Sequence, residues 1–257
     1  CFPDPPRDAP VIDLAPWAWI LLAIAGVIVG LSKTALPGAT TVAVAIFAAI
    51  LPARSSTGAL LILLIVGDIF ALLTYRRHAH WPTLLRLAPA VVAGIAVGAG
   101  FLAIANNAVV RPVIGVILLA MVAITLWRRR RTTAAPEGSA NLVTTLGYGA
   151  MGGFTTMVAN AGGPVMSMYF LAMRTPVKVF LGTAAWFFAI VNIVKLPLLA
   201  GLGLITVPTL LMDAVLVPLV VAGALFGRWL ITRIDQALFD RIVLGLTVLG
   251  AAYLLVP

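Results

Sequence analysis

Ten apolar stretches run along the chain, at about 16–31, 38–51, 57–75, 83–104, 108–127, 141–158, 163–173, 178–200, 206–231 and 238–256. Stretches of about 20 residues can cross a hydrocarbon core of ~30 Å as helices, and the shorter ones cannot easily do so alone. The short stretches form two pairs. LSKTALPG joins 16–31 to 38–51, and VANAGGP joins 141–158 to 163–173. Each pair reads either as a re-entrant hairpin or as one broken helix that crosses.

The breaks recur in order. Pro89–Gly98 (PAVVAGIAVG) and Pro218–Gly227 (PLVVAGALFG) share P-x-V-V-A-G-x-x-x-G. Upstream, Gly38 matches Gly162, Pro52 matches Pro176, Gly58 matches Gly182 and Asp68 matches Asn192. Downstream, Arg111 matches Arg241 and Gly115 matches Gly245. The chain is thus written twice, and a duplicated apolar chain interrupted by Gly and Pro is the pattern of a secondary transporter with its site between the repeats. The organisation predicted is a polar N-terminal segment (1–15), a first transmembrane repeat (16–127), a basic cytoplasmic linker (128–140, RRRRTTAAPEGSA) and a second repeat (141–257).

Basic residues choose between the two hairpin readings. With both hairpins re-entrant, each unit keeps three crossings. Arg76, Arg77, Arg86, Arg128 to Arg131, Arg174, Lys178, Arg228, Arg233 and Arg241 then share one side, against Arg7, Arg54 and Arg111 on the other. With both pairs crossing, the basic residues divide almost evenly. The positive-inside rule therefore favours re-entrant hairpins. Three crossings per unit make the units inverted. The fold class expected is all-α and polytopic: two inverted repeats, each a re-entrant or broken helical hairpin plus three transmembrane helices, about eight hydrophobic segments in total. Trp17, Trp19, Tyr75, Trp81, Trp127 and Trp229 lie near segment ends, where aromatic rings anchor at the interface.

Composition agrees with a bilayer. The chain is 62% hydrophobic and 10% charged, with mean hydropathy +1.13, whereas soluble domains carry about 25% charged residues. The net charge of +9 does not imply nucleic acid, because the basic residues flank apolar segments instead of forming a stripe. The single cysteine, Cys1, allows neither a disulfide nor a cysteine metal site. A chain that begins at cysteine is expected to have been cut, and lipid modification there lacks a supporting signal segment. His78 and His80 have no carboxylate or cysteine nearby in sequence to complete a metal site. No cofactor is expected. The nucleotide-binding G-x-x-x-x-G-K-[ST], the H-E-x-x-H and the G-x-S-x-G motifs are absent, which argues against an ATP-driven pump and against an enzyme.

Charged groups inside apolar segments cost at least ~2.5–3.5 kcal/mol on insertion scales, so each requires an explanation. Asp68 lies eight residues before Arg76, about 12 Å from the segment end and near mid-membrane. It reads as a coupling group for a proton or cation, or as a carboxylate bracing a hairpin, as its repeat partner Asn192 would. Lys33 sits at the first tip with Ser32, Thr34 and Gly38. An ammonium beside the start of a helix forms an anion site, and neutralisation by Asp68 is the competing reading. The second tip offers Thr155, Thr156, Asn160, Gly162 and Gly163 as donors and close-approach positions, or as packing glycines alone. Lys195 and Asp213 are expected to face one another as a structural ion pair, with Lys195 as a vestibule cation as the alternative.

In these residues the chain resembles the sulfite exporter TauE/SafE family, the TSUP permeases. The matching stretches are G-L-S-K-x-x-x-P-G (30–38), L-P-x-R-x-x-x-G leading to G-D (51–68) and Y-R-R-H-x-H-W (75–81). In the second half they are N-A-G-G-P (160–164), R-T-P (174–176) and N-I-V-K (192–195). The resemblance covers about 17–256. It implies multi-pass bacterial inner-membrane transport of small sulfur-containing anions such as sulfite, thiosulfate and sulfonates including sulfoacetate; it leaves the direction open, with export the expected one. Lys33, Asp68, Asn160, Asn192 and Lys195 become the first residues to test. The partners expected are that anion, the lipid bilayer, a proton as candidate coupling ion and a second copy of the chain as a candidate homodimer. A passive anion channel on the same scaffold is the rival reading, and an integral-membrane lipid-phosphate hydrolase is a more distant one.

Overall fold

The protein is described by a computed structural model that covers residues 14–34, 38–130, 142–173, 176–230 and 236–256. Cys1, most of the linker and the R-T pair of the 174–176 turn lie outside the described residues.

The ten predicted stretches form ten helices: α1 (Pro16–Thr34), α2 (Thr40–Ile50), α3 (Ala53–Tyr75), α4 (Trp81–Ile104), α5 (Asn107–Arg130), α6 (Leu142–Ala159), α7 (Gly162–Ala172), α8 (Val177–Gly201), α9 (Val207–Leu230) and α10 (Gln236–Leu255). Proline sets several starts. Pro52 and Pro176 precede α3 and α8 in extended conformation, since proline fixes φ and cannot donate to a preceding turn. Three arginines expected in the linker, Arg128 to Arg130, instead extend α5.

Among the described residues, six spans are long and apolar enough to cross a membrane: 16–34, 53–78, 81–104, 107–127, 178–201 and 207–227. The chain is thus a multi-pass membrane protein. The first hairpin is unequal. Its 19-residue arm reaches about 28 Å, nearly the full core, whereas the 11 residues of α2 reach about 16 Å.

Contacts fix the helix directions. Along α1 and α9, Gly26 meets Leu216, Gly30 meets Val220 and Ala224, and Thr34 meets Gly227, so the two run parallel. Along α4 and α6, Gly149 meets Leu87 and Ala90, Gly153 meets Val91 and Ile95, and Gly98 meets Met157; these are parallel as well. The central helices α3 and α8 are antiparallel, since Gly58 abuts Leu204, Asp68 bonds Asn192, and Gly182 abuts Tyr75 and His78. The start of α3 is tied to the start of α5, just past the end of α4, by Arg54 N–H donating to Asn107 Oδ1 at 3.0 Å, so α4 runs back against α3. The equivalents α1 and α6, α3 and α8, and α4 and α9 therefore point in opposite directions. The repeats are inverted. Each long hairpin arm lies on the opposite repeat's helix, α1 on α9 and α6 on α4.

Those two crossings need glycine. A Cβ on Gly153 would overlap the Val91 carbonyl at the α4–α6 crossing, and one on Gly30 would overlap the Val220 carbonyl at the α1–α9 crossing. Small residues let backbones touch where lipid supplies no hydrophobic drive. Gly153→Val is expected to wedge α4 from α6 and to cost more than the ~1–3 kcal/mol of ordinary overpacking, because backbone has to move. Gly163→Ala, whose Cβ would meet nothing within 4 Å, is the matched control. Thermal unfolding in one detergent compares them.

The outside of the bundle is apolar. Ile69, Leu73, Leu85, Val97, Ile104, Leu211 and Val215 are more than half exposed, as lipid contact requires. Of the expected anchors, Trp17, Trp81, Trp127 and Trp229 are exposed to between 46% and 61%.

Candidate anion site

The two hairpin tips meet the antiparallel pair α3 and α8. At the first tip, the Ser32 and Thr40 hydroxyls share a hydrogen bond at 2.6 Å, and the Thr40 amide donates to Ser32 Oγ at 3.2 Å. Ser32 thereby supplies a cap that Ala39 cannot give to α2. Gly38 has φ +111°, a conformation that glycine adopts at no steric cost.

At the second tip, α6 ends on Asn160 with φ +51°, the left-handed position that Asn tolerates better than other side chains. Two features hold this turn. The Asn160 amide nitrogen donates to the Thr57 carbonyl on α3 at 3.0 Å, and its Oδ1 accepts from Lys195 Nζ on α8 at 2.5 Å. Lys195 also donates to the Thr156 carbonyl at 2.6 Å, near the negative end of the α6 dipole. The Lys195 side chain has no exposed surface.

Between the tips, Asp68 holds two partners, one from each repeat. Lys33 Nζ donates to Oδ1 at 2.5 Å, and Asn192 Nδ2 donates to Oδ2 at 2.6 Å. Lys33 also lies 4.9 Å from the centre of the Phe188 ring, where the ring face attracts a cation. Asn192 Oδ1 is buried with no partner among the described residues.

These groups surround one cavity. Its polar wall comes from Ser32, Lys33, Thr40 and Thr41 of the first hairpin, Asp68 and Tyr75 of α3, Thr156, Asn160 and Gly163 of the second hairpin, and Asn192 of α8. On α3 the lining rises from Leu64 through Asp68 and Ala71 to Tyr75. On α8 it runs from Asn192 through Phe188 to Leu181. The cavity therefore extends toward the end of the bundle that carries Arg76 and Arg77. Its ionisable groups are unequal in number. Asp68 pairs with Lys33, and Lys195, one hydrogen bond behind Asn160 and Thr156, has no carboxylate within ion-pair distance among the described residues.

Eight predicted residues line this cavity: Ser32, Lys33, Gly38, Asp68, Thr156, Asn160, Gly163 and Asn192. Four do not. Thr34 Oγ1 donates to the Ala224 carbonyl of α9 at 3.0 Å and ties the first tip to the second repeat. Thr155 donates to the Met151 carbonyl of its own helix at 2.8 Å. Gly162 sits where a Cβ would lie 2.9 Å from Thr156 Cβ, a packing position. Lys195 is behind the wall, and it bonds the second tip instead of Asp213, so the expected ion pair does not form. Sequence reading missed Thr40, Thr41 and Tyr75. Thr40 and Thr41 follow Gly38 at the start of a helix, a signal that could have placed them. His80 Nδ1 is engaged with the Thr83 hydroxyl at 2.8 Å.

The family model for the sulfite exporter TauE/SafE matches residues 22–254, through both repeats and both tips. The chain belongs to the sulfite exporter TauE/SafE family. It is a membrane transporter of the sulfite-exporter type. No curated protein and no solved structure matches it.

Proposed function

We propose that this TauE/SafE chain carries a small sulfur-containing anion, such as sulfite, thiosulfate or a sulfonate, outward across the bacterial inner membrane by alternating access. The observation that carries the reading is the cavity in which Lys33, Asn192 and the second tip converge, with two amines to one carboxylate around it. Asp68 takes the part of a resident anion. Its two oxygens hold a cation from one repeat and an amide donor from the other, the contacts an oxyanion with two free oxygens would also make. An arriving anion exchanges with Asp68 for these donors. The cavity's reach toward the Arg76 end, cytoplasmic by the positive-inside rule, makes this the inward-facing state. Relative rocking of the inverted repeats then exposes the same site outward.

The test is thermal stabilisation of the detergent-purified protein by a panel of sulfite, thiosulfate, sulfoacetate, taurine, sulfate, acetate and chloride, followed by flux into proteoliposomes. A ligand at 100 times its dissociation constant adds about 2.7 kcal/mol. Selective stabilisation by a sulfur oxyanion or sulfonate, with saturable flux, is expected. A flat panel would overturn the site, and conductance without saturation would replace the carrier with a channel.

A further inference from the structure

The ion pair expected between Lys195 and Asp213 leaves an unanswered residue once Lys195 is found at the second tip. Asp213 is 1% exposed, and neither of its carboxylate oxygens has a hydrogen-bond partner among the described residues. A buried carboxylate without a donor is the costliest polar arrangement in an apolar interior, and a proton removes most of that cost.

Position gives this acid a use. Asp213 lies six residues into α9, about 9 Å from its start. That start adjoins the beginning of α3, where Gly58 abuts Leu204. This is the end of the bundle opposite Arg76 and Arg77, away from the cavity mouth. Asp213 also falls on the helical stripe that continues as Leu216, Val220, Ala224 and Gly227, the positions that touch α1. One turn toward the start of α1 from Gly26, the facing stretch Ala18–Ala25 (AWILLAIA) contains no ionisable side chain.

On α1 the charged residue is Lys33, bonded to Asp68 at the far end. On α3 they are Asp68 and Arg54; Arg54 stands at the start of that helix, in the same outer half as Asp213, and its buried Nε has no partner among the described residues. On α8 Lys178 lies at the opposite end, and Lys195 holds the second tip. No ion pair joins any of these to Asp213 among the described residues. Asp213 is therefore an unpaired carboxylate of the closed outer half, on the α9 stripe that continues to the α1 contact.

We propose that Asp213 is a proton-binding site of the outer half, dehydrated in this conformation and reached by water when α1 and α9 separate. The carboxylate takes one proton from outer water or returns one to it in the outward-open state, and carries it neutral through the closed state. The proton is bound from and returned to the same side, so none crosses the membrane; outer pH instead governs closure, because the interface can close over the neutral acid and not over the charged one. This inference rests on the alternating-access reading above for its role in transport, and its first test does not.

That test is infrared spectroscopy of the lipid-reconstituted protein near neutral pH, wild type against Asp213→Asn. The expected result is the carbonyl-stretch band of a neutral carboxyl group that disappears in the variant. Absence of such a difference would overturn the proposal. The second test is sulfite flux in proteoliposomes in which the gradient is made by varying the outer-side pH against a fixed inner pH. Asp213→Asn should lose the response to the gradient while keeping anion-dependent stabilisation, and Asp213→Leu, which reports tolerance of the site to a purely apolar group, should do the same. Full retention of the gradient response, or a dependence on sodium instead of protons, would overturn it. If neither protein moves sulfite yet the infrared band is present and lost in the variant, the transport reading fails and the proton site stands.

Discussion

Replacing Lys33 with alanine is expected to abolish anion-dependent stabilisation and transport, and to lower the stability of the protein itself. The two effects have one cause. Lys33 is the cation that Asp68 holds in the resting cavity and the one that the transported anion would take. Its removal leaves a buried carboxylate with Asn192 as its remaining side-chain donor, and stripping one partner from a buried pair costs about 3–5 kcal/mol. The double variant Lys33→Ala with Asp68→Asn separates folding from function. Asparagine removes the stranded charge and keeps the shape, so thermal stability should return while anion binding stays lost. Melting curves with and without sulfite for the two variants decide it. If the double variant regained anion binding, Lys33 would be a structural counter-ion and the site would lie elsewhere.

Lys195→Met is expected to produce a loss of similar size by another route. The methionine chain fills the buried volume but donates nothing, so the Thr156 carbonyl and Asn160 Oδ1 lose a charged donor. Each charge-assisted bond contributes about 1.5–3 kcal/mol. With them goes the anchor of a turn whose Asn160 sits in the left-handed region, a conformation that persists only while its surroundings hold it. Hydrogen exchange across 157–163 should accelerate, which a merely local packing defect in α8 would not cause. Anion affinity should fall as well, because Asn160 and Thr156, which line the cavity, lose the group that holds them in place. Unchanged exchange at the tip, with transport intact, would show that Lys195 does not anchor the turn.

The architecture was legible because the bilayer leaves few options. A chain in lipid has to satisfy its backbone within helices, so apolar stretch lengths and the recurring Gly and Pro breaks map almost directly onto α1 to α10. Inversion was legible from arginine placement, since positive charge marks one side, and the contacts of α3 with α8 agree. The unequal first hairpin was less visible. Lys33 and Thr34 are polar yet helical, because Lys33 meets Asp68 and Thr34 meets the Ala224 carbonyl, and only those partners explain why α1 continues through them.

The sequence by itself determined which residues are too polar for their surroundings: Lys33, Asp68, Asn160, Asn192, Lys195 and Asp213. Each charge in an apolar segment requires compensation, and that requirement is local. Which group compensates which was decided by the tertiary structure alone. Lys195 and Asp213 lie on consecutive helices at depths that suggested a pair, yet rotation of α8 about its axis turns the ammonium to the second tip and leaves the carboxylate on the α9 stripe that touches α1. Sequence spacing gives a residue's height along its helix. The direction in which it points across the bundle is set by how ten helices pack together, through contacts between residues far apart in the chain.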